Sequence, residues 1–352
     1  MRRAPVPSSL KHRTALKALT AVGLKGLMAV GLKGLTAVGL ICLPACFLLP
    51  EDGDTDDDGD TEVVADPMFV AVGDQGAVLA SPDGTTWTVR TSGTTLALND
   101  VAFGGEHYVA VGQAGKILVS DDGLEWISAS SPSSRDLNAV VWHIDRFYAV
   151  GGDYSAGAET LVSFDGNSWT RPEITQPKHL LTDLASDGIN LVTIGNYQSD
   201  LQSFGLFAWA EGAGWAQRID GASAAVRYDV IASGIPNFAM INFGAAATST
   251  DTATWNATPI FNGGVMLDLA YTQSGWLAVG DNGLILGSPD AVAWTPHPTG
   301  LPVALRGITS EGGLHIAVGA AGTILGSSNG ATWSALVSPL TVDLRAVTHP
   351  RG

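Results

Sequence analysis

Several charged residues recur at matching positions in short apolar runs along the chain, and these residues are the best placed to do chemistry. Arg306 and Arg345 each follow a leucine, and Arg227 lies near the corresponding place in its own run. One residue further along lie four carboxylates: Asp100, Asp183, Asp229 and Asp268. If these runs line one channel, the side chains form a partial acidic ring with arginines beside it, which suits a cation or a polar ligand.

The same carboxylates also have a structural interpretation, which we favour. In it, each one accepts backbone N–H groups or pairs with a neighbouring arginine across a junction between elements. A third possibility is glycoside hydrolysis, which uses two carboxylates at a suitable separation, but spacing along the chain does not establish that separation. The histidines lack the spacing of metal ligands, so neither a metal site nor a cofactor is expected.

The apolar runs belong to a repeat of about forty residues, which is typical of propeller blades. Each unit starts with one of these short runs, strand A. A second apolar strand B follows, such as Phe69-Val-Ala-Val-Gly73, and then a tight turn with glycine at both ends, such as Gly73-Asp-Gln-Gly76. Glycine supplies the positive φ that such turns need. Strand C, such as Ala77-Val-Leu-Ala80, leads to a closing phrase whose Trp opens strand D.

The closing phrase has a mechanical interpretation, seen in Ser120-Asp-Asp-Gly-Leu-Glu-Trp126. Its Asp accepts backbone N–H groups of its own turn, its Gly takes the left-handed position, and its Trp packs between sheets. The structural tryptophans are Trp87, Trp126, Trp169, Trp255, Trp294 and Trp333, and a degenerate fourth copy keeps Glu211, Gly212 and Trp215. The structural acids are Asp83, Asp122, Asp165, Asp251 and Asp290, with Asn329 in the last copy.

Seven tryptophan-bearing copies predict an all-β, seven-bladed propeller of four-stranded blades over residues 67–352. After Asp66 the chain enters at a strand B, and it finishes with a lone strand A, Val342-Asp-Leu-Arg-Ala-Val347. We therefore expect the C-terminal strand to complete the first blade and close the ring, which leaves no free strand edge between the ends.

The closing phrase resembles the Asp-box of bacterial-neuraminidase-type (BNR) repeats, although each copy is one residue shorter between Asp and Trp. Over roughly residues 67–349 the whole unit is similar to the repeats of the photosystem II stability/assembly factor group. This resemblance implies the seven-bladed fold. It implies little about function, because similar boxes occur in glycosidases, sorting receptors and non-catalytic scaffolds.

Two B–C turns carry insertions, Asp153–Glu159 in the third unit and Asn196–Gly205 in the fourth. Insertions in repeat proteins often mark a binding face, although neutral drift in a tolerant loop explains them equally well. Their aromatic residues, Tyr154, Tyr197 and Phe204, are candidates for stacking on sugar rings.

Residues 1–46 are predicted to be an export signal. A basic start precedes an apolar run that ends at Leu43-Pro-Ala-Cys46, which resembles a bacterial lipobox with Cys46 as the lipidated residue. A simple secretion signal or an uncleaved anchor is the alternative, and Met28 is an alternative start. Residues 47–66 are predicted to be an acidic, disordered tether.

The charge excludes one class of partner. Residues 63–352 hold 11 basic and 26 acidic side chains, a balance of −15, and such a surface repels phosphate backbones. We expect no nucleic-acid partner.

The expected function is a monomeric, non-catalytic binding or assembly scaffold, lipid-anchored at a bacterial outer membrane or cell surface, with a protein or glycan partner. The alternative is a carbohydrate-binding or glycoside-hydrolysing propeller.

Overall fold

Antiparallel strands account for nearly all of the regular structure in a computed structural model that describes residues 69–174, 177–197, 200–220, 228–234, 237–260 and 264–350. Within these ranges no helix is long and apolar enough to cross a membrane. The predicted export segment, its Cys46 and the predicted tether lie outside the described residues.

The strands are numbered along the chain. The first ten are β1 (Phe69–Gly73), β2 (Val78–Ser81), β3 (Thr88–Arg90), β4 (Leu98–Gly104), β5 (His107–Gly112), β6 (Ile117–Ser120), β7 (Ile127–Ser128), β8 (Leu137–His143), β9 (Arg146–Asp153) and β10 (Gly157–Ser163). The next eight are β11 (His179–Ser186), β12 (Leu191–Tyr197), β13 (Asp200–Ala210), β14 (Gly214–Asp220), β15 (Val230–Ser233), β16 (Phe238–Ile241), β17 (Ala245–Ser249) and β18 (Asn256–Pro259). The last nine are β19 (Met266–Thr272), β20 (Gly275–Gly280), β21 (Ile285–Ser288), β22 (Thr295–Pro296), β23 (Leu305–Glu311), β24 (Leu314–Gly319), β25 (Ile324–Ser327), β26 (Ser334–Ala335) and β27 (Leu344–Thr348).

These strands form seven antiparallel blades. Blade 1 has the order β27-β1-β2-β3, and blades 2 to 7 follow in chain order. In blade 3 a short bridge between Val162 and Thr170 takes the place of a regular outer strand. The innermost strands β4, β8, β11, β15, β19, β23 and β27 contact one another in that order, and β27 contacts β4. The predicted seven-bladed ring is confirmed.

The C-terminal strand closes the ring as predicted. β27 pairs antiparallel with β1, with Val70 opposite Thr348 and Ala71 opposite Val347. Without β27, the inner edge of β1 would present unpaired backbone groups.

The core consists of apolar layers between neighbouring blades. In the layer between blades 2 and 3, Val109 and Val119 pack with Phe147 and Trp169. Both faces of each blade are therefore buried, which explains why β1 reads as an uninterrupted apolar run rather than as an alternating one.

The B–C turns use their two glycines for different reasons. Gly76 has φ +71, so it takes the left-handed conformation that favours glycine. Gly73 is extended, with φ −172, and it is required by space, because a Cβ there would lie 2.1 Å from the carbonyl oxygen of Asp343. The expectation of positive φ at both glycines is therefore wrong for the first one. Gln75 between them also takes a positive φ, of 57°.

The closing turns share one set of hydrogen bonds. In blade 2, Asp122 Oδ1 accepts the N–H groups of Leu124 and Glu125 at 2.8 and 3.0 Å, and Trp126 Nε1 donates to the carbonyl of Gly123 at 2.9 Å. The corresponding bonds recur at Asp83, Asp165, Asp251, Asp290 and Asn329. Burial alone would raise the pKa of Asp83, but the hydrogen bonds that its carboxylate accepts from the N–H groups of Thr86 and Thr85 lower this pKa to about 2. These carboxylates therefore stay ionised at neutral pH.

Blade 4 departs from this pattern. Its closing Trp215 donates through Nε1 to Thr160 Oγ1 of blade 3, at 2.9 Å, rather than to its own turn. This hydrogen bond joins blade 4 to blade 3, whereas the described closing tryptophans of the other blades donate to their own turns.

A buried histidine in blade 7 gives a first testable prediction. His315 faces Ser327 across its hairpin, the position where Phe69, Tyr108 and Phe147 face their own serines. Burial lowers the pKa of His315, so its contribution to stability is lost as pH falls below the unfolded value near 6.5. We expect His315→Phe to raise the free energy of unfolding more at pH 5 than at pH 8, because phenylalanine binds no proton. Urea unfolding at both pH values measures this, and an equal effect at both would contradict it.

Candidate functional site

A cavity of about 450 Å³ lies on the channel between the inner strands and is the candidate site. Its wall includes the four predicted carboxylates and two of the three predicted arginines: Asp100, Asp183, Asp229, Asp268, Arg306 and Arg345. The structure therefore brings these sequence candidates together. Arg227 lies outside the described residues.

A β-bulge lies at the start of six of the seven inner strands, all except β15, and aims the side chains of those strands. In β4 the pairing with β5 skips Asn99, because Leu98 pairs with Gly112 and Asp100 pairs with Val111. The same shift leaves out Arg306 in β23 and Arg345 in β27. A bulge adds one residue and turns the strand locally, so successive side chains both reach the channel.

Three carboxylates each join two blades. Asp100 Oδ1 accepts the N–H of Val101 at 2.8 Å, and its Oδ2 accepts the N–H of Val140 in blade 3 at 2.7 Å. Asp183 does the same with Leu184 and Ile231, and Asp268 with Leu269 and Ile308, at 2.7–2.8 Å. The junctions between blades 2 and 3, 4 and 5, and 6 and 7 are therefore fastened by one carboxylate each.

Asp229 does not belong to this set. Ile231 receives the bond from Asp183 just as Val140 receives the bond from Asp100, so residue 231 corresponds to residue 140. Asp229 therefore corresponds to Asn138, one residue before the position of the three blade-joining acids. The sequence provided no clear register for Asp229, because the run Arg227-Tyr-Asp-Val-Ile231 lacks the leucine that marks the start of the other inner strands.

The three blade-joining acids are unusually easy to protonate. Burial raises the pKa of Asp100 to about 6, against the opposing effect of its hydrogen bonds. Burial and, less strongly, the charge of Asp100 raise the pKa of Asp183 to about 7. Burial and the charge of Asp183 raise the pKa of Asp268 well above its ordinary value. The carboxylates therefore repel one another across the channel.

This arrangement predicts a pH dependence. A carboxyl whose pKa is raised by folding stabilises the native state below its unfolded pKa, and the contribution is lost as pH rises through the folded value. For Asp183 that window runs from about pH 4 to about pH 7. As the pH rises from 5 to 8, we expect the stability of Asp183→Asn, measured relative to that of the unmodified protein, to rise by on the order of 1–2 kcal/mol, because asparagine does not ionise. Thermal and urea unfolding across this range measure the difference, which would be independent of pH if the prediction is wrong.

The arginines find partners other than the three acids. Arg345 Nε donates to Asp74 Oδ1 at 2.5 Å and its Nη1 donates to Asn99 Oδ1 at 3.1 Å, so it links blade 1 to blade 2. Arg306 Nη2 lies 3.4 Å from Asp343 Oδ2. The pairing of arginines with channel acids that the sequence suggested is replaced by pairing with acids of the turns.

Two asparagines were missed by sequence reasoning. Asn99 Nδ2 donates to the carbonyl of Leu137, and Asn138 Nδ2 donates to that of Leu181, both at 2.8 Å across a blade junction. Their shared place, directly after the first leucine of strand A, was the available signal.

The aromatic candidates in the insertions have different surroundings. Tyr154 lies at the B–C hairpin of blade 3 with 42% of its surface exposed. Phe204 is buried and packs edge-on against Tyr228 at a ring distance of 5.7 Å, so it is not available to stack on a sugar. Tyr197 ends β12, and its side chain lies outside the described part of the structure.

A buried ion pair that the sequence did not indicate holds the blade 3 insertion. Glu159 is buried and accepts from Arg171 Nε at 2.6 Å and Nη2 at 3.0 Å. Arg135 lies 3.4 Å from the same carboxylate and 3.5 Å from Asp153. Among the residues described, no group of three or more His, Cys, Asp or Glu is arranged to hold a metal ion.

Comparisons with known proteins show similarity of fold. No protein-family model matches the sequence, and no curated protein matches it. Among solved structures, YCF48 bound to a D1 peptide is 18% identical with a TM-score of 0.56, covering 72% of this chain and 89% of that one. YCF48 from Cyanidioschyzon merolae is 16% identical with a TM-score of 0.55, covering 78% and 97%.

A third similar structure is that of virginiamycin B lyase from Staphylococcus aureus. It is 8% identical with a TM-score of 0.53, covering 78% of this chain and 86% of that one. The similar structures thus include a protein solved with a peptide and a lyase, so the shared fold does not by itself select a function.

Proposed function

We propose that this protein is a non-catalytic scaffold that binds a protein or another polymer through one face of its propeller. The hydrogen bonds of the three channel carboxylates carry this proposal. Both oxygens of Asp100, Asp183 and Asp268 accept backbone N–H groups from two blades, so these acids serve to join neighbouring blades. The solved complex of YCF48 with a D1 peptide supports it, because it shows peptide binding on a similar fold.

We further propose that the protein is located on the outside of a bacterial membrane. The lipobox-like Leu43-Pro-Ala-Cys46 would supply a lipid anchor, and the acidic stretch 47–66 would separate the propeller from the bilayer. A cell-surface or outer-membrane scaffold of this kind acts as a monomer in our proposal. Metabolic labelling with a fatty acid, compared between the natural chain and Cys46→Ser, tests the anchor directly.

Photo-cross-linking in intact cells tests the scaffold function. A photoreactive amino acid replaces Phe164 or Phe243 in the full chain, because both are well exposed, at 63% and 58%, and they lie on opposite faces. We expect a discrete protein adduct from one position and not from the other. The absence of any protein adduct from both, together with a specific sugar-dependent stabilisation, would refute the proposal.

The carbohydrate alternative rests on two observations. Carboxyl groups with pKa values of about 6 and 7 lie in one cavity, which is the range of a glycosidase general acid, and Tyr154 is exposed. Thermal unfolding of the full chain against a glycan panel distinguishes the two functions. A sugar present at about a hundred times its dissociation constant adds roughly 2.7 kcal/mol. If that shift disappears in Asp183→Asn, the carbohydrate function is correct.

A further inference from the structure

The two faces of the propeller differ in charge. We call the end that carries the A–B hairpins and the closing turns the closing face. Besides the acids of the closing turns, this face carries six more acidic residues: Glu106, Asp121, Glu125, Asp145, Asp187 and Glu211. Among the described residues of these hairpins and turns, Arg146 is the only lysine or arginine. Arg135, Lys178, Arg306 and Arg345 lie towards the opposite face.

An apolar patch lies on the closing face where blades 3 and 4 meet. It consists of Ile144, Phe164 and Ile189, whose exposed fractions are 65%, 63% and 83%. His143 Nδ1 lies 2.8 Å from Ser186 Oγ, which joins the hairpins that carry the two isoleucines. The guanidinium of Arg146 lies 4.4 Å from the centre of the Phe164 ring, which joins the first hairpin to the closing turn. These contacts hold together the three segments that carry these side chains on the closing face, and we name the three residues the blade 3–4 patch.

Ile144 occupies a position that glycine fills elsewhere. It is the first residue of a two-residue hairpin and has φ +58, in the left-handed region. The corresponding first residues in blades 2 and 7 are Gly105 and Gly312, with φ +54 and +57. A β-branched residue is strained in this conformation, so the exposed isoleucine opposes the stability of its own hairpin.

Arg146, the only lysine or arginine in the described part of this face, is already paired with carboxylates. Arg146 Nε donates to Asp145 Oδ1 at 2.9 Å, and its Nη1 lies 3.6 Å from Glu211 Oε1. A partner therefore meets exposed apolar side chains surrounded by carboxylates. Apolar anchors within a charged rim are the usual arrangement of a protein-binding hot spot, and the rim selects the partner of opposite charge.

We propose that the blade 3–4 patch docks a Lys/Arg-rich protein segment that carries large apolar side chains. This inference rests on the proposed scaffold function and names its face and the chemistry of its partner. The same carboxylates oppose nucleic acid and anionic lipid surfaces, which present negative charge.

Fluorescence anisotropy with the full chain tests the proposal. The probe is a labelled synthetic peptide of alternating lysine and leucine or phenylalanine. One comparison peptide replaces lysine by glutamate, and another replaces the apolar residues by serine. We expect the first peptide alone to bind well, and its affinity to fall with added salt, because the Debye length shrinks from about 10 Å at 0.1 M to about 3 Å at 1 M.

Two pairs of variants locate the site. Ile144→Gly is expected to weaken binding about tenfold or more, as the loss of one buried aliphatic side chain implies, while leaving the protein at least as stable as before. Its matched control is Val337→Ser, an 86% exposed residue in a D–A link of the opposite face. Glu211→Lys is expected to weaken binding several-fold, whereas Glu173→Lys, also exposed but in a D–A link of the opposite face, leaves it unchanged.

The proposal is overturned by equal binding of the lysine–serine peptide, by unchanged binding in Ile144→Gly, or by an equal effect of Glu173→Lys and Glu211→Lys. Binding of the glutamate peptide alone would also overturn it, but would leave the scaffold function intact. If no peptide binds and a glycan stabilises the protein, both the inference and the proposed function fail.

Discussion

Replacing Glu159 by alanine is expected to lower the free energy of unfolding by about 2–3 kcal/mol. The carboxylate is 1% exposed and accepts a bidentate pair from Arg171, a second ion pair from Arg135 and a hydrogen bond from Ser133 Oγ at 3.0 Å. Its removal leaves a buried cavity, takes the carboxylate partner from Arg171, and leaves Arg135 with Asp153 alone, at 3.5 Å. Urea unfolding followed by tryptophan fluorescence measures the loss.

The control for this variant is Glu173→Ala, since Glu173 is exposed and is a glutamate of the same blade. It should change stability by less than about 0.5 kcal/mol, as surface substitutions do. Arg171→Met, which removes one partner and keeps an apolar stem, should cost less than Glu159→Ala because Arg135 still neutralises the carboxylate. A loss below about 1 kcal/mol in Glu159→Ala would mean that the pair does not stabilise blade 3.

Replacing Trp126 by alanine is expected to cost about 3–5 kcal/mol, which is the usual range for truncating a large aromatic side chain in a core. The ring packs with Tyr108 of its own blade and with Val70 and Val78 of blade 1, so it fills the layer between two blades. The variant should therefore weaken contacts on both sides of the junction, and calorimetry should show a lower melting temperature.

Trp126→Phe separates the two parts of this effect. It keeps most of the apolar ring and removes the hydrogen bond from Nε1 to the carbonyl of Gly123, which is worth about 1 kcal/mol. Ile127→Ala is the neighbouring control, because Ile127 is 61% exposed on the outer strand. If Trp126→Ala and Ile127→Ala had similar effects, the closing tryptophans would not be the elements that join the blades.

The fold was predictable from sequence because most blades repeat the same pattern of residues. A tryptophan, an acid and a pair of glycines at fixed spacing specify two hairpins, and the number of copies specifies the number of blades. Even the closure by β27 followed from an unpaired strand B at one end of the repeat region and an unpaired strand A at the other.

The candidate site was predictable only in part. Asp100, Asp183 and Asp268 were selected by position, but their bonds reach residues about forty positions away in the next blade, and spacing within one repeat cannot show which N–H lies opposite. Asp229 was misplaced because its strand lacks the leucine that marks the start of the others. The Glu159 network was missed because Arg135 and Arg171 lie in separate turns that only the insertion brings together.

The pairing of β1 with β27 also sets an order of events during synthesis. Val70 meets Thr348, so blade 1 cannot be completed until almost the whole propeller has been made. Until then the nascent chain exposes the edge of β1, and contacts of this sequence separation form slowly. Blades 2 to 7 are built from adjacent hairpins and can form as they emerge. Ring closure is therefore a late step. A chain that ends before Leu344 would keep six complete blades and the unpaired edge of β1. We expect such a chain to aggregate or to be degraded rather than to persist as a smaller propeller.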